Sequence, residues 1–234
     1  MKVFFALLLG AQVLHALITN RRGESDVKRL SWAIILLQTP LALAAYWIAW
    51  QRGVFSRDLI DPVYLGAGLI LGHVVFCLSL LATHRVWRDV WEHLFGVKPL
   101  CLFLKENPDM MLRFLGISCI EEVIYRAVAQ PVANEWIGHA LPAIVIVAIA
   151  FALVHKHFFR NEFGQSAEFI VFALLLGWLY YWTNSLLLVI LVHVVRNLES
   201  VYLEYLVKVD ELGGEQQAME AIERTYGWRL PERI

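Results

Sequence analysis

The sequence predicts an all-α, polytopic membrane protein, and three observations carry that prediction. Of its 234 residues, 59% are hydrophobic and 18% charged, against about 45–50% and about 25% in soluble domains; the mean hydropathy is +0.58. The excess falls into blocks of roughly 17–20 residues, the helix length that spans about 30 Å of hydrocarbon. Lysines and arginines gather in alternate connections between the blocks, the asymmetry that orients membrane helices.

Seven spans follow in order: Val3–Thr19, Ser31–Trp50, Val63–Thr83, Met110–Ala127, Ala140–Val154, Ala167–Trp182 and Leu186–Leu206. The first begins after Lys2, as a secretory signal would. No A-x-A cleavage site follows, however, and Arg21-Arg22 forms a stop-transfer flank, so it reads as a retained anchor. Arg21, Arg22, Lys28 and Arg29 follow span one; Arg85, Arg88, Lys98 and Lys105 follow span three; Lys156 and Arg160 follow span five. The tail carries Lys208, Arg224, Arg229 and Arg233, whereas the alternate side holds only Lys2, Arg52 and Arg57. The N-terminus is therefore expected outside and the C-terminus in the cytoplasm.

Between spans, Arg85–Phe95 sets Val86, Val90 and Leu94 on one stripe with Trp87 and Trp91 beside it, the pattern of a helix lying in the cytoplasmic interface. Residues 1–206 form the transmembrane helical domain, with its motifs in 110–206. Residues 207–234 form a polar cytoplasmic tail, broken at Gly213-Gly214 and expected to hold a short helix on the membrane surface. Trp32, Trp47, Trp50, Trp178 and Trp182 lie at span ends, as in an aromatic belt. A net charge of −1 excludes a basic nucleic-acid binder. Cys77, Cys101 and Cys119 have no CxxC spacing, so neither a disulfide framework nor a thiolate zinc site is expected.

The ionisable residues inside the spans point to function, because each costs on the order of 2.5–3.5 kcal/mol in a bilayer core. Three motifs contain them: Glu121-Glu122-Val-Ile-Tyr-Arg126, Phe151-Ala-Leu-Val-His155 and His193-Val-Val-Arg-Asn197. Residues four apart share a helical face, so Glu122 can pair with Arg126 and His193 sits beside Asn197. Glu121, about 100° further round, is left for another task. A carboxylate and a neutral imidazole can hold a water and accept its proton. A second imidazole and an amide can donate to a developing oxyanion. Together they describe hydrolysis of an amide bond within the membrane.

This ordered set on successive hydrophobic helices resembles the CPBP family of intramembrane proteases, which includes the type II CAAX prenyl endopeptidases and the bacterial Abi proteins. The resemblance covers roughly Met110–Leu206. It implies that Glu121 with His155 activates water and that His193 and Asn197 stabilise the oxyanion. Glu122 and Arg126 would support the site, with Phe151 packed one turn before His155. The substrate would be a peptide or a lipidated protein, prenylated CAAX proteins among them, approached within membrane lipid. The family has been described both as metalloproteases and as glutamate-dependent proteases. A zinc ion would fall to Glu121, His155 and His193 with an open fourth position. No HExxH helix is present and asparagine is an unusual zinc neighbour, so the expectation is a reaction without metal or other cofactor.

Two alternatives stand beside this reading: a non-catalytic immunity or scaffold protein of the same fold, and a haem-binding electron-transfer bundle with axial ligands among His15, His73 and His193. A transporter predicts two similar halves, and the sequence has no such repeat. Arg196 is expected to snorkel or to pair with a carboxylate such as Glu199. His15, His73, His84, His93, His139 and His157 form no usable spacing and are expected to have no functional role.

Overall fold

Short breaks, many at glycine or asparagine and one at Val154-His155, punctuate a chain that is otherwise helical in the residues its computed structural model describes, 1–22, 34–56, 61–84 and 86–226. Helix α1 covers Lys2–Arg22, and a π-turn at Ile34–Gln38 leads into α2, Thr39–Gln51. Next come α3 (Pro62–His84), α4 (Trp87–Phe95), α5 (Val97–Glu106) and α6 (Pro108–Glu122). Without a break, α6 passes into a π-helical segment, Val123–Ala129, and then into α7, Gln130–Ile137. The chain continues through α8 (Ala140–Leu153), the short α9 (Lys156–Arg160), α10 (Phe163–Thr183), α11 (Leu186–Leu212) and α12 (Glu215–Tyr226). No strand occurs among the described residues.

The boundaries have local causes. Pro62 and Pro108 open α3 and α6, where the missing N–H is no loss. Helix α10 ends on Asn184 at φ 51°, a left-handed turn that asparagine tolerates. Ser185 then accepts a hydrogen bond from the Leu188 N–H at 3.2 Å, which caps α11.

Four helices are long and apolar enough to cross a bilayer: Lys2–Thr19, Pro62–Thr83, Phe163–Thr183 and Leu186–Leu212. They coincide with four of the seven expected spans. The other three expected spans fall on shorter or interrupted helical segments that do not reach that length: α2 after its π-turn, α6 with the π-helical segment, and the apolar 14-residue α8. Outward faces of these helices are apolar, for example Leu7, Ile70, Leu78, Ile146 and Val171, as lipid contact requires. Ser31–Ala33, the cationic Lys28 and Arg29, and also Trp32, Arg57, Arg85, Arg229 and Arg233 lie outside the described residues.

Helix α11 is the centre of the bundle and packs most extensively on α3, then on α12 and α6. Its approach to α3 runs along Gly68-x-x-x-Gly72. A methyl group added at Gly68 would lie 2.6 Å from Leu191 Cβ, and one at Gly72 2.7 Å from Val195 Cβ. Small residues at this spacing let two backbones touch where lipid supplies no hydrophobic drive. Helix α12 turns back on Gly213 (φ 73°) and buries Ala218 and Ile222 against α11. The tail helix therefore docks on the bundle, because its apolar stripe finds a protein partner.

One end of the bundle is marked by an ion triad, with Glu135 Oε2 2.6 Å from Lys2 Nζ and Oε1 2.6 Å from Arg52 Nη2. Trp47, Trp50, Trp136, Trp178 and Trp182 are exposed around this end, as an interfacial belt would be. On α4, the expected amphipathic helix, Val90 is buried while Trp87, Trp91 and Phe95 are exposed.

Candidate active site

The three motif segments meet where α6 packs on α11 and where the chain leaves α8: His155 lies in the extended link between α8 and α9, and Arg126 in the π-helical segment. Glu121, His155, His193 and Asn197 all line one cavity of about 630 Å³. Thr83, Asn161, Gln165 and Tyr226 also line it, so it opens at the end opposite the Glu135 triad.

The two adjacent glutamates differ in surroundings. Glu122 is fully buried, and its Oε1 accepts hydrogen bonds from Arg126 Nη1 at 3.2 Å and from His193 Nδ1 at 2.7 Å. Arg126 also donates to the Ala173 carbonyl at 3.2 Å, and its guanidinium lies 4.5 Å from the centre of the Phe151 ring. Glu121 keeps 23% of its side chain exposed to the cavity. Its Oε1 stands 3.5 Å from His155 Nε2 and its Oε2 3.6 Å from His193 Nε2. The π-helical widening begins directly after this pair; such insertions are frequent at functional sites.

Hydrogen bonds determine which imidazole nitrogens face the cavity. His155 Nδ1 donates to the Phe151 carbonyl at 2.7 Å, so a neutral His155 turns the Nε2 lone pair toward Glu121. His193 Nδ1 donates to Glu122, which leaves Nε2 facing the cavity. Phe151 packs between them, 4.5 Å from the His155 ring and 5.9 Å from the His193 ring. It lies against Tyr125 and Phe169 as well, so both rings have an aromatic wall behind them.

Sequence reasoning missed part of the cavity wall. Arg196 does not pair with Glu199: its Nη2 donates to Glu168 Oε2 at 2.7 Å, with the guanidinium 4.5 Å from the centre of the Phe172 ring. The Ser79 hydroxyl donates to the other oxygen of Glu168. Glu168 precedes Phe169 within an ordinary apolar helix, and nothing in its spacing marks it. His157 is also in the cavity lining, its ring 5.3 Å from that of His155. Glu199 instead meets His73 and His93, two histidines the sequence left without a role.

The zinc set that the resemblance allows does not fit as arranged. His155 Nε2 and His193 Nε2 lie 3.5 and 3.6 Å from different oxygens of Glu121, but the three residues do not bring all their ligand atoms within 4.8 Å of one another. Among the described residues, the one trio whose ligand atoms all lie within 4.8 Å of one another is His73, His93 and Glu199. No metal-dependent step is derived for the cavity.

Residues 105–198 match the family model described as Type II CAAX prenyl endopeptidase Rce1-like. This stretch contains every motif residue from Glu121 to Asn197, and it agrees with the CPBP resemblance of the sequence. The matched family is a family of proteases, and the apolar helices make the chain a membrane protein. No curated protein and no solved structure matches the chain.

Proposed function

We propose that this membrane protein, Rce1-like over residues 105–198, is an intramembrane endopeptidase that hydrolyses a peptide bond near the C-terminus of a prenylated CAAX protein or peptide. The observation that carries the proposal is the Glu121–His155 pair, two proton acceptors 3.5 Å apart and facing one cavity. A water seated beside the pair, on its cavity side, can donate to both and keep a lone pair free to attack.

The attacking oxygen bonds to the carbonyl carbon while its proton passes to the Glu121–His155 pair. Charge then develops on the carbonyl oxygen, which His193 Nε2–H and the Asn197 amide stabilise. Two carboxylates, Glu121 and Glu122, here face two basic side chains, Arg126 and His193. That pairing matters because an uncompensated ion in a low dielectric is costly. The captured proton next passes to the amide nitrogen as the C–N bond breaks. General-base assistance contributes about 10²–10⁴ in rate, and each oxyanion donor about 10²–10³.

In this reading the cavity opens to the cytoplasm, where lipidated C-termini are made. The N-terminus and the Glu135 triad are outside, and the expected set of seven crossings gives that orientation. A haem bundle gives no account of the buried Glu122–Arg126–His193 cluster beside Glu121, so we set it aside. A scaffold role gives no reason for such a cluster facing an open cavity.

The test is cleavage of a farnesylated CAAX peptide by the purified full chain in detergent. The expected result is a shortened peptide with wild type and none with Glu121→Ala or His155→Ala. Full cleavage by both variants would end the proposal.

A further inference from the structure

A second polar cluster lies behind the cavity wall, built from three helices and used by nothing in the hydrolysis. Glu199 on α11 is 1% exposed. Its Oε1 is 2.8 Å from His73 Nδ1 on α3, and its Oε2 is 2.8 Å from His93 Nε2 on α4. His73 Nε2 donates to the Leu94 carbonyl at 3.1 Å.

A count of hydrogens makes this cluster unusual. A neutral imidazole has one N–H, and the Leu94 carbonyl takes the one on Nε2 of His73. The Nδ1 lone pair then faces a carboxylate oxygen 2.8 Å away, and two acceptors at that distance are held by a positive charge between them, a proton or a metal ion. A ring N–H donated to a backbone carbonyl is also the outer-sphere contact that fixes metal-binding histidines.

We propose that His73 Nδ1, His93 Nε2 and the Glu199 carboxylate bind one divalent transition-metal cation. Two imidazoles and a carboxylate suit zinc, with nitrogen and oxygen ligands about 2.0–2.2 Å from the metal and the fourth position left to water. In such a tetrahedron the ligand atoms are about 3.3 Å apart, so the 2.8 Å contacts here open by roughly 0.5 Å as the cation enters. The His73 and His93 side chains are 18% and 12% exposed, which gives a water access. The cation ties the interfacial α4 to α3 and α11. Phe76 stands between cluster and cavity, lining the cavity and touching the His93 ring at 4.9 Å. The metal thus braces the cavity wall without touching the reacting atoms.

This proposal does not depend on peptidase activity, and its test reads metal directly. Purified full chain in detergent is stripped with a chelator and titrated with Co²⁺, with zinc as competitor. Expected are one equivalent per chain with the visible absorption of a tetrahedral site, displacement by zinc, and a melting temperature that rises with added zinc. His93→Gln and Glu199→Gln lose the absorption and the rise; Glu121→Ala and His155→Ala keep both. If wild type takes up no Co²⁺ and its melting temperature ignores zinc, a proton holds the cluster and the proposal fails. It fails equally if Glu121→Ala abolishes binding while His93→Gln preserves it. Should Glu199→Gln not fold, His93→Gln on the half-exposed α4 and the wild-type zinc response still decide.

Discussion

Adjacent in sequence, Glu121 and Glu122 should respond in opposite ways to the same substitution, glutamate to glutamine. Glu122→Gln removes the charge shared by Arg126 and His193, which are 1% and 2% exposed. Breaking a buried ion pair from one side costs about 3–5 kcal/mol. At about 2–4 °C per kcal/mol for a chain of this size, the melting temperature falls by roughly 6–20 °C. Glu121→Gln replaces a group that faces the cavity and makes no direct hydrogen bond shorter than 3.5 Å. Its stability should stay within about 0.5 kcal/mol, while cleavage falls by about 10²–10⁴. Thermal unfolding in detergent, followed by the fluorescence of the nine tryptophans, measures the first effect, and a farnesylated peptide assay measures the second. Equal melting losses in both variants, or an unaltered melting temperature in Glu122→Gln, would refute the division of roles.

Gly72→Ala should cost about 1–3 kcal/mol by overpacking; since the struck atom is Val195 Cβ itself, a thermal melt should show partial rescue by Val195→Gly and none by Val195→Ala. Asn197→Ala should lower kcat by about 10²–10³ through the lost oxyanion donor, with KM and melting temperature little changed. At the outer end, the Lys2 ammonium and Arg52 guanidinium hold the Glu135 carboxyl below the usual carboxylate range. A depressed pKa contributes stability above the unfolded value that is lost as pH falls through the folded one. Melting curves should therefore show Glu135→Gln losing less than about 1 kcal/mol near neutrality, a small cost because the pair is half-exposed, and nothing in strong acid.

The candidate site residues were legible because their cost makes them conspicuous. A carboxylate in an apolar run stands out without any structure, and a four-residue step places its partner on the same face. The link between Glu122 and His193 was not legible, since it crosses 71 positions and depends on how α6 and α11 pack. The π-helical segment left no mark either: Val123–Ala129 reads as ordinary apolar helix, and only tertiary packing widens it. The same limit hid Glu168, His73 and His93: His73 is a lone polar residue in a greasy segment, Glu168 and His93 sit among other polar residues, and only their contacts in space show a role. Gly68-x-x-x-Gly72 was readable in principle, but its significance lies in the partner helix it admits.

Helix α11 explains why these clusters coexist. His193, Arg196 and Glu199 follow one another at steps of three, which turn by roughly 60° around the helix. They therefore address different neighbours: His193 meets Glu122 on α6, Arg196 meets Glu168 on α10, and Glu199 meets His73 and His93 on α3 and α4. A membrane helix with ionisable groups on three faces can be stable only if protein surrounds each of them. That requirement places α11 at the centre of the bundle, and the close glycine contact with α3 is how one of those faces is sealed. Loosening that contact should disturb His73 and Glu199 before it disturbs Glu121, because the Glu121–His155 pair rests on α6 and on the link between α8 and α9 instead.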